Sequence, residues 1–367
     1  MTTTPAASAA GPTIDWELAA RLGARLAPPS PDVPTAQVTE TVEALRADAV
    51  RSTGLVADYT GLVAPEHSAP VLVVDRPRWI EANTQSFAVL MDPFVARLAE
   101  RGAEREAESG LRAPAPVRRA TTAVGSRVTG AEVGVLLGFL SGKVLGQFDP
   151  FAPEDVAPDG RLLLVAPNVW QVAEDIGARH RDFRLWVCLH EETHRVQFTA
   201  VPWLRAHLRS QVAALADTLD PTSVLEDGLS RVVDAVRNGA KGSLVDLLGS
   251  PEQRAIIDGV TGTMSLLEGH ADVVMDGVGP SVIPTVRRIR TAFEQRRDGL
   301  GFLDRLVRRM IGLDAKMAQY RDGAAFVRHV VDRVGMADFN AVWAAPENLP
   351  SKSEIADPAA WVRRVHG

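Results

Sequence analysis

His190, Glu191 and His194 stand in the order HExxH within the stretch FRLWVCLHEETHRVQF, residues Phe183 to Phe198. On an α-helix, residues four apart lie about 40° apart in rotation and ~6 Å apart along the axis, so both imidazoles can point at one ion. Glu191 lies between them in angle and rise, displaced to one side, where a carboxylate reaches water on the ion without becoming a ligand. Zinc lowers the pKa of such a water to about 7, and Glu191 is placed to take its proton and pass it to a leaving group. In a chain with eight histidines the pattern arises by chance in roughly one case in a hundred, so its surroundings must support the reading. With His190 as zero on a helical wheel, Trp186, Leu189, Thr193 and Val196 form an apolar stripe. Arg184, Glu191, Glu192 and Arg195 fall on the opposite side, which predicts a polar face. The two histidines sit at the boundary, as a cleft metal site requires.

A third ligand has to come from elsewhere. The stretch MSLLEGHADVVMD, Met264 to Asp276, is an apolar helical pattern carrying acids at 268, 272 and 276. Carboxylates among Leu266, Leu267, Val273, Val274 and Met275 demand partners, because burying one unpaired is costly. Glu268 is the expected third ligand. Asp272, one turn further on, is expected to accept the free N–H of a ligand histidine and fix its tautomer. His270 competes for the ligand role but lies about 200° around the helix from Glu268. Only Glu268 completes a four-residue step with Asp272. Cys188, two residues before His190, points away from the ligand face and reads as a small buried hydrophobe.

The elements that position these groups follow from the pattern of apolar runs and breakers. Residues 1–35, rich in Ala, Thr and Pro, read as a partly ordered arm with a short helix near Trp16. Residues 36–367 read as one catalytic domain. Val71–Val74 and Arg161–Val165 are apolar runs of strand length, and a long helix is expected from Trp79 to about Glu108. Gly110, Pro114 and Pro116 mark a possible internal break near 109–119. Gly134, Gly138, Gly142 and Gly146 recur every four residues and predict a nearly side-chain-free ridge on a helix, against which another backbone packs closely. From Asp182 onward nearly every segment has helical spacing, broken at Pro202, Pro221, Pro251, Pro280 and Pro284. The fold class is therefore mainly α with a small, strand-poor β component.

Composition narrows the function. With 367 residues, 46% of them apolar, the chain can bury a core without disulfides or metal, so any metal serves chemistry. A net charge of -6 excludes a general nucleic-acid binder, whose affinity comes from a basic surface. The single cysteine rules out an internal disulfide framework and suits a reducing compartment. The first residues show no signal-peptide pattern, and a cytoplasmic protein is expected. Val133–Leu145, the most apolar stretch, is shorter than the ~20 residues a membrane span needs and contains Lys143. No Gly-rich phosphate loop follows a strand, so flavin or deazaflavin binding has no motif of its own.

HExxH followed at a distance by Glu-x-x-x-Asp resembles the gluzincin branch of the zincin metallopeptidases. More closely, FRLWVCLHEETHRVQFTAVPWL, LLEGHADVVMD, GFLSGKVLGQFDPF and GMADFNAVW are similar to an actinobacterial family of zincin-like candidate hydrolases associated with deazaflavin coenzyme biosynthesis. The resemblance covers roughly residues 40 to 365. It implies a zincin-like metallohydrolase fold and one zinc ion. His190, His194 and Glu268 match the metal ligands, Glu191 the general base and Asp272 the supporting acid. The resemblance supplies a fold and a metal site more than a substrate, and the expected function is a zinc-dependent hydrolase acting on a peptide or amide bond. The wider zincin consensus has uncharged residues where Glu192 and Arg195 stand, which argues against ordinary peptidase activity. Zincin peptidases add a Tyr or His that stabilises the oxyanion, and Tyr320 is the candidate. The alternative function is a metal-stabilised scaffold that binds a partner with little turnover. A di-iron carboxylate centre needs a second ExxH, and alanine stands at 271, three residues after Glu268.

Overall fold

The computed structural model describes residues 14–66, 68–109, 115–218, 250–298 and 313–367. In chain order its longer elements are α1 (Trp16–Leu26), α2 (Thr35–Thr60), β1 (Val71–Val74), α3 (Arg76–Ser109), α4 (Ala115–Ser141), β2 (Gly146–Asp149) and β3 (Arg161–Val165). There follow α5 (Ala166–Asp175), α6 (His180–Ala200), α7 (Pro202–Thr218), α8 (Pro251–Val278), α9 (Val286–Asp298), α10 (Leu313–Phe339) and two short C-terminal helices, α11 (Lys352–Ala356) and α12 (Pro358–His366). The mainly helical composition with a small sheet is as expected. The chain divides into two units, one made of Met1–Pro29 and Arg76–Lys143, the other of Ser30–Asp75 and Val144–Gly367. The expected break near 109–119 falls inside the first unit, and residues 110–114 lie outside the described residues.

In the first unit α1 packs on α4 and α3. Asp15 caps α1, its carboxylate accepting from the Leu18 N–H at 2.8 Å. The glycine ridge lies on this seam. A Cβ built at Gly134 would stand 2.7 Å from the Ala19 carbonyl oxygen, and one at Gly138 would stand 3.0 Å from that of Gly23. Gly130 belongs to the same ridge, with Asp15 against it. Arg76 donates to the carbonyls of Pro28 and Pro29 in this unit. Gly146 is not part of the ridge, because α4 ends at Ser141 and Gly146 opens β2.

The second unit carries the sheet, in the order β1-β3-β2, with β3 parallel to β1 and antiparallel to β2. Both anticipated strands occur at the expected residues, and β2 was not anticipated. β3 is central and buried along its length, which is why it reads as a continuous apolar run. Its one charged residue, Arg161, is paired in the interior with Asp149 at 3.0 Å. Against the sheet and α2 lies α6, contributing Phe183, Leu185, Val187, Leu189 and Val196 to a common core with Leu45, Leu162 and Leu164. Asp182 in the first turn of α6 favours the positive end of the helix dipole. The helix stops where Pro202 forces Val201 out of the helical region, to φ -117 and ψ 82.

Pro251 occupies the first turn of α8, where its missing N–H costs nothing, and Ser250 and Gln253 form a reciprocal capping box. Helix α8 packs on both α6 and α10, and its Leu266, Leu267 and Val273 join Phe326, Phe339 and Trp361 in a second core. Among the described residues no helix is long and apolar enough to cross a membrane.

Candidate metal centre

Helix α6 supplies His190 and His194 one turn apart, and α8 brings Glu268 to them. The Nε2 atoms of the two histidines lie 3.3 Å apart, and each stands 3.6 Å from Glu268 Oε2. A point equidistant from three atoms so spaced is about 2.0 Å from each, the ordinary length of a zinc bond to imidazole nitrogen or carboxylate oxygen. The donor set, two imidazoles and one carboxylate, is also that of a catalytic zinc site with a position left open. The structure thus brings together the three expected ligand residues. All three remain partly accessible, His190 most of all at 29% of its side chain.

The charges of the cluster reflect its crowding. Burial and the charge of His194 push His190 down to about 4. Burial also opposes charge on His194, but the Glu268 carboxylate outweighs it and lifts His194 to about 9. Burial raises Glu191 to about 7, against a lowering by the charge of His194 and by a hydrogen bond from the Phe148 backbone N–H. Strand β2 thus holds the carboxylate of Glu191 from its edge. Gly146 makes this possible: a Cβ there would stand 2.5 Å from Glu191 Cγ.

Two expectations are corrected in detail. Asp272 does not sit behind a ligand histidine. It pairs with Arg290 at 2.9 Å, half-exposed, because α9 brings that guanidinium against the outer turn of α8. The group at the outer nitrogen of His194 is Gln197, whose Oε1 lies 2.9 Å from Nδ1, while His190 Nδ1 lies 3.2 Å from Met275 Sδ. Secondly, Glu192 and Arg195 do not form a polar face. Both are buried, and Arg195 donates through Nε and Nη2 to the two Glu192 oxygens at 2.8 and 2.6 Å. Arg195 Nη1 donates to the Ser68 carbonyl at 2.8 Å and Nη2 to Thr53 Oγ1 at 3.2 Å, so α2 and the chain leading to β1 cover this side of α6. His270, the competing ligand candidate, is completely buried outside the cluster, stacked on Phe339 and edge-on to Trp343, in line with the preference for Glu268.

Cys188 is a buried thiol near the Leu45 carbonyl, raised well above its ordinary pKa by burial, as expected of a packing residue. Tyr320 falls on α10, but its side chain lies outside the described residues. Gln197 and Gly146 were not singled out for the site. Gln197 had one usable signal, a polar residue three positions after His194 at the edge of an apolar stripe.

Two histidines a turn apart on one helix and a glutamate from another form a cluster that could hold a metal ion, as in zincins. The sequence matches the zincin-like metallopeptidase family over residues 14–362, and the chain belongs to that family. The family implies a metal at such a site, usually zinc. A solved structure from Chloroflexus aurantiacus, called a candidate hydrolase with a novel fold, is similar to this chain at 33% identity and a TM-score of 0.66. The similarity covers 96% of this chain and 98% of that one. A search of curated proteins finds no match.

Proposed function

We propose that the protein is a single-zinc hydrolase that cleaves a peptide or amide bond. The observation that supports this most directly is the triangle of His190 Nε2, His194 Nε2 and Glu268 Oε2, with sides of 3.3, 3.6 and 3.6 Å. Zinc, when bound, supplies a Lewis acid that polarises a carbonyl and brings the pKa of water near 7. The chain's own residues do the rest. His190 and His194 offer nitrogen lone pairs from a rigid helix, and Glu268 offers a compensating negative charge. Glu191, held by the Phe148 N–H and seated against Gly146, accepts a proton at its carboxylate and returns it to the leaving nitrogen.

The substrate class draws on β2. It is the end strand of the sheet and runs directly beside Glu191. An extended backbone laid along such an edge pairs as a further strand, which favours a peptide.

Metal analysis and peptide hydrolysis on the purified protein test the proposal together. One equivalent of zinc is expected, and Glu191→Gln should keep the zinc while hydrolysis of a peptide mixture falls by about 10²–10⁴-fold. A protein without metal, or a Glu191→Gln variant as active as the parent, overturns the hydrolase reading. Full zinc occupancy with no cleavage by the parent protein favours the scaffold.

A further inference from the structure

Gln197 bridges His194 on helix α6 and the Leu267–His270 turn of helix α8. Its Nε2 lies 2.9 Å from the Leu267 carbonyl oxygen and 3.0 Å from His270 Nδ1, and its Oε1 lies 2.9 Å from His194 Nδ1. A backbone carbonyl only accepts, so the NH₂ end of the amide must face Leu267. That leaves Oε1 facing His194, and an amide oxygen only accepts. His194 Nδ1 must then carry a hydrogen. The second amide hydrogen points at His270 Nδ1, which therefore accepts, and the His270 proton resides on Nε2. The directions of these three hydrogen bonds are mutually consistent and Gln197 is completely buried, while the His270 Nε2–H is buried without a partner among the described residues.

We infer that Gln197 is a positioning residue: it holds His194 in the tautomer with hydrogen on Nδ1, so that the Nε2 lone pair faces the metal. The Leu267 carbonyl and His270 act as the anchors that set the direction of the amide. His270 is itself fixed by stacking on Phe339 at 5.5 Å and by the edge of Trp343, so the ring cannot turn without disturbing the second core. Helix α8 thus carries both the Glu268 carboxylate and, at Leu267 and His270, the groups that orient the amide behind His194. The usual partner for a ligand histidine is a carboxylate, a backbone carbonyl or water. Here a neutral amide does the same task without adding charge to a cluster that already contains Glu191 and Glu268.

The inference rests on the proposed metal site, and the experiment separates the two. The full-length protein, labelled with ¹⁵N-histidine and loaded with zinc, is studied by NMR, and zinc affinity is measured by competition with a chromophoric chelator. For the parent protein, His194 should bind through Nε2 and show a slowly exchanging Nδ1 proton. Binding through Nδ1, or an Nδ1 proton that exchanges as fast as an exposed one, overturns the inference. Gln197→Met keeps the side-chain length and removes the acceptor. It should weaken zinc binding by about 10–100-fold and abolish the protected Nδ1 signal. Gln197→Glu keeps an oxygen facing His194, so its zinc affinity should lie closer to the parent than that of Gln197→Met. Parent-like zinc binding by Gln197→Met, or equal losses in the two variants, overturns the positioning role. Should Gln197→Met fail to fold by circular dichroism, the parent spectrum still decides the matter. A parent protein that binds no zinc instead defeats the metal-site reading.

Discussion

Helix α6 carries two groups of buried polar side chains on different faces, and their hydrogen-bond balance separates structure from chemistry. On one face Glu192 and Arg195 neutralise each other, and Thr53 and Ser68 take up further guanidinium hydrogens. Donors and acceptors match, and the charges are closed off by α2. On the other face His190, His194 and Glu268 aim three electron-rich atoms at one point. Burial alone does not distinguish the two faces, since Glu191 and Glu192 are both buried. What distinguishes them is that the first pairs each charge with a partner, whereas the second brings two imidazole nitrogens and a carboxylate oxygen to one point. A buried charge persists only when paired, and the convergence of three possible ligand atoms on one point is what supports the proposed metal site.

Breaking the closed face should have the largest effect. Arg195→Met leaves the Glu192 carboxylate buried without its partner and should cost about 3–5 kcal/mol in urea unfolding. Replacing both residues with apolar ones of similar volume should cost less than this single change, since no orphan charge remains. A loss below about 1 kcal/mol for Arg195→Met would mean that the pair contributes no more than a surface ion pair does, and the contrast would fail.

A smaller effect is expected where the sheet meets the open face. In Gly146→Ala the new methyl would stand 2.5 Å from Glu191 Cγ, so strand and carboxylate must part. The cost should be about 1–3 kcal/mol in stability, with a fall in kcat and an unchanged zinc equivalent. Loss of zinc without loss of activity per bound ion would show that Gly146 supports the ligands and not the base.

The smallest effect sharpens the boundary of the site. Asp272 is half-exposed and tied to Arg290, so Asp272→Asn should change stability by less than about 1 kcal/mol and leave zinc content as it was. A marked drop in zinc affinity on titration with a chelator would restore Asp272 as a support for the ligand histidines.

Much of this arrangement could be read from residues close together in the chain. His190 and His194 share a face because of the helix period, and Glu268 stood out as an acid among apolar neighbours. β1 and β3 were visible as short apolar runs, and α7 and α8 begin at Pro202 and Pro251 as the breakers indicated. β2 was hidden because four residues, Gly146–Asp149, hold too little pattern, and Gly146 continued a four-residue glycine step that elsewhere is helical. The burial of Glu192 and Arg195 was likewise hidden, because a wheel shows which residues share a face but not what covers it.

The sequence by itself determined which side chains share a turn of α6, since helical periodicity is a property of neighbouring residues. Only the tertiary structure decided which polar groups would be closed by partners and which would converge on one point. That outcome depends on partners far away in the chain: Thr53 and Ser68 for Arg195, Leu267 and His270 for Gln197, Arg290 for Asp272. Hydrogen bonding acts over about 3 Å, so the pairing is set by packing and not by position along the sequence.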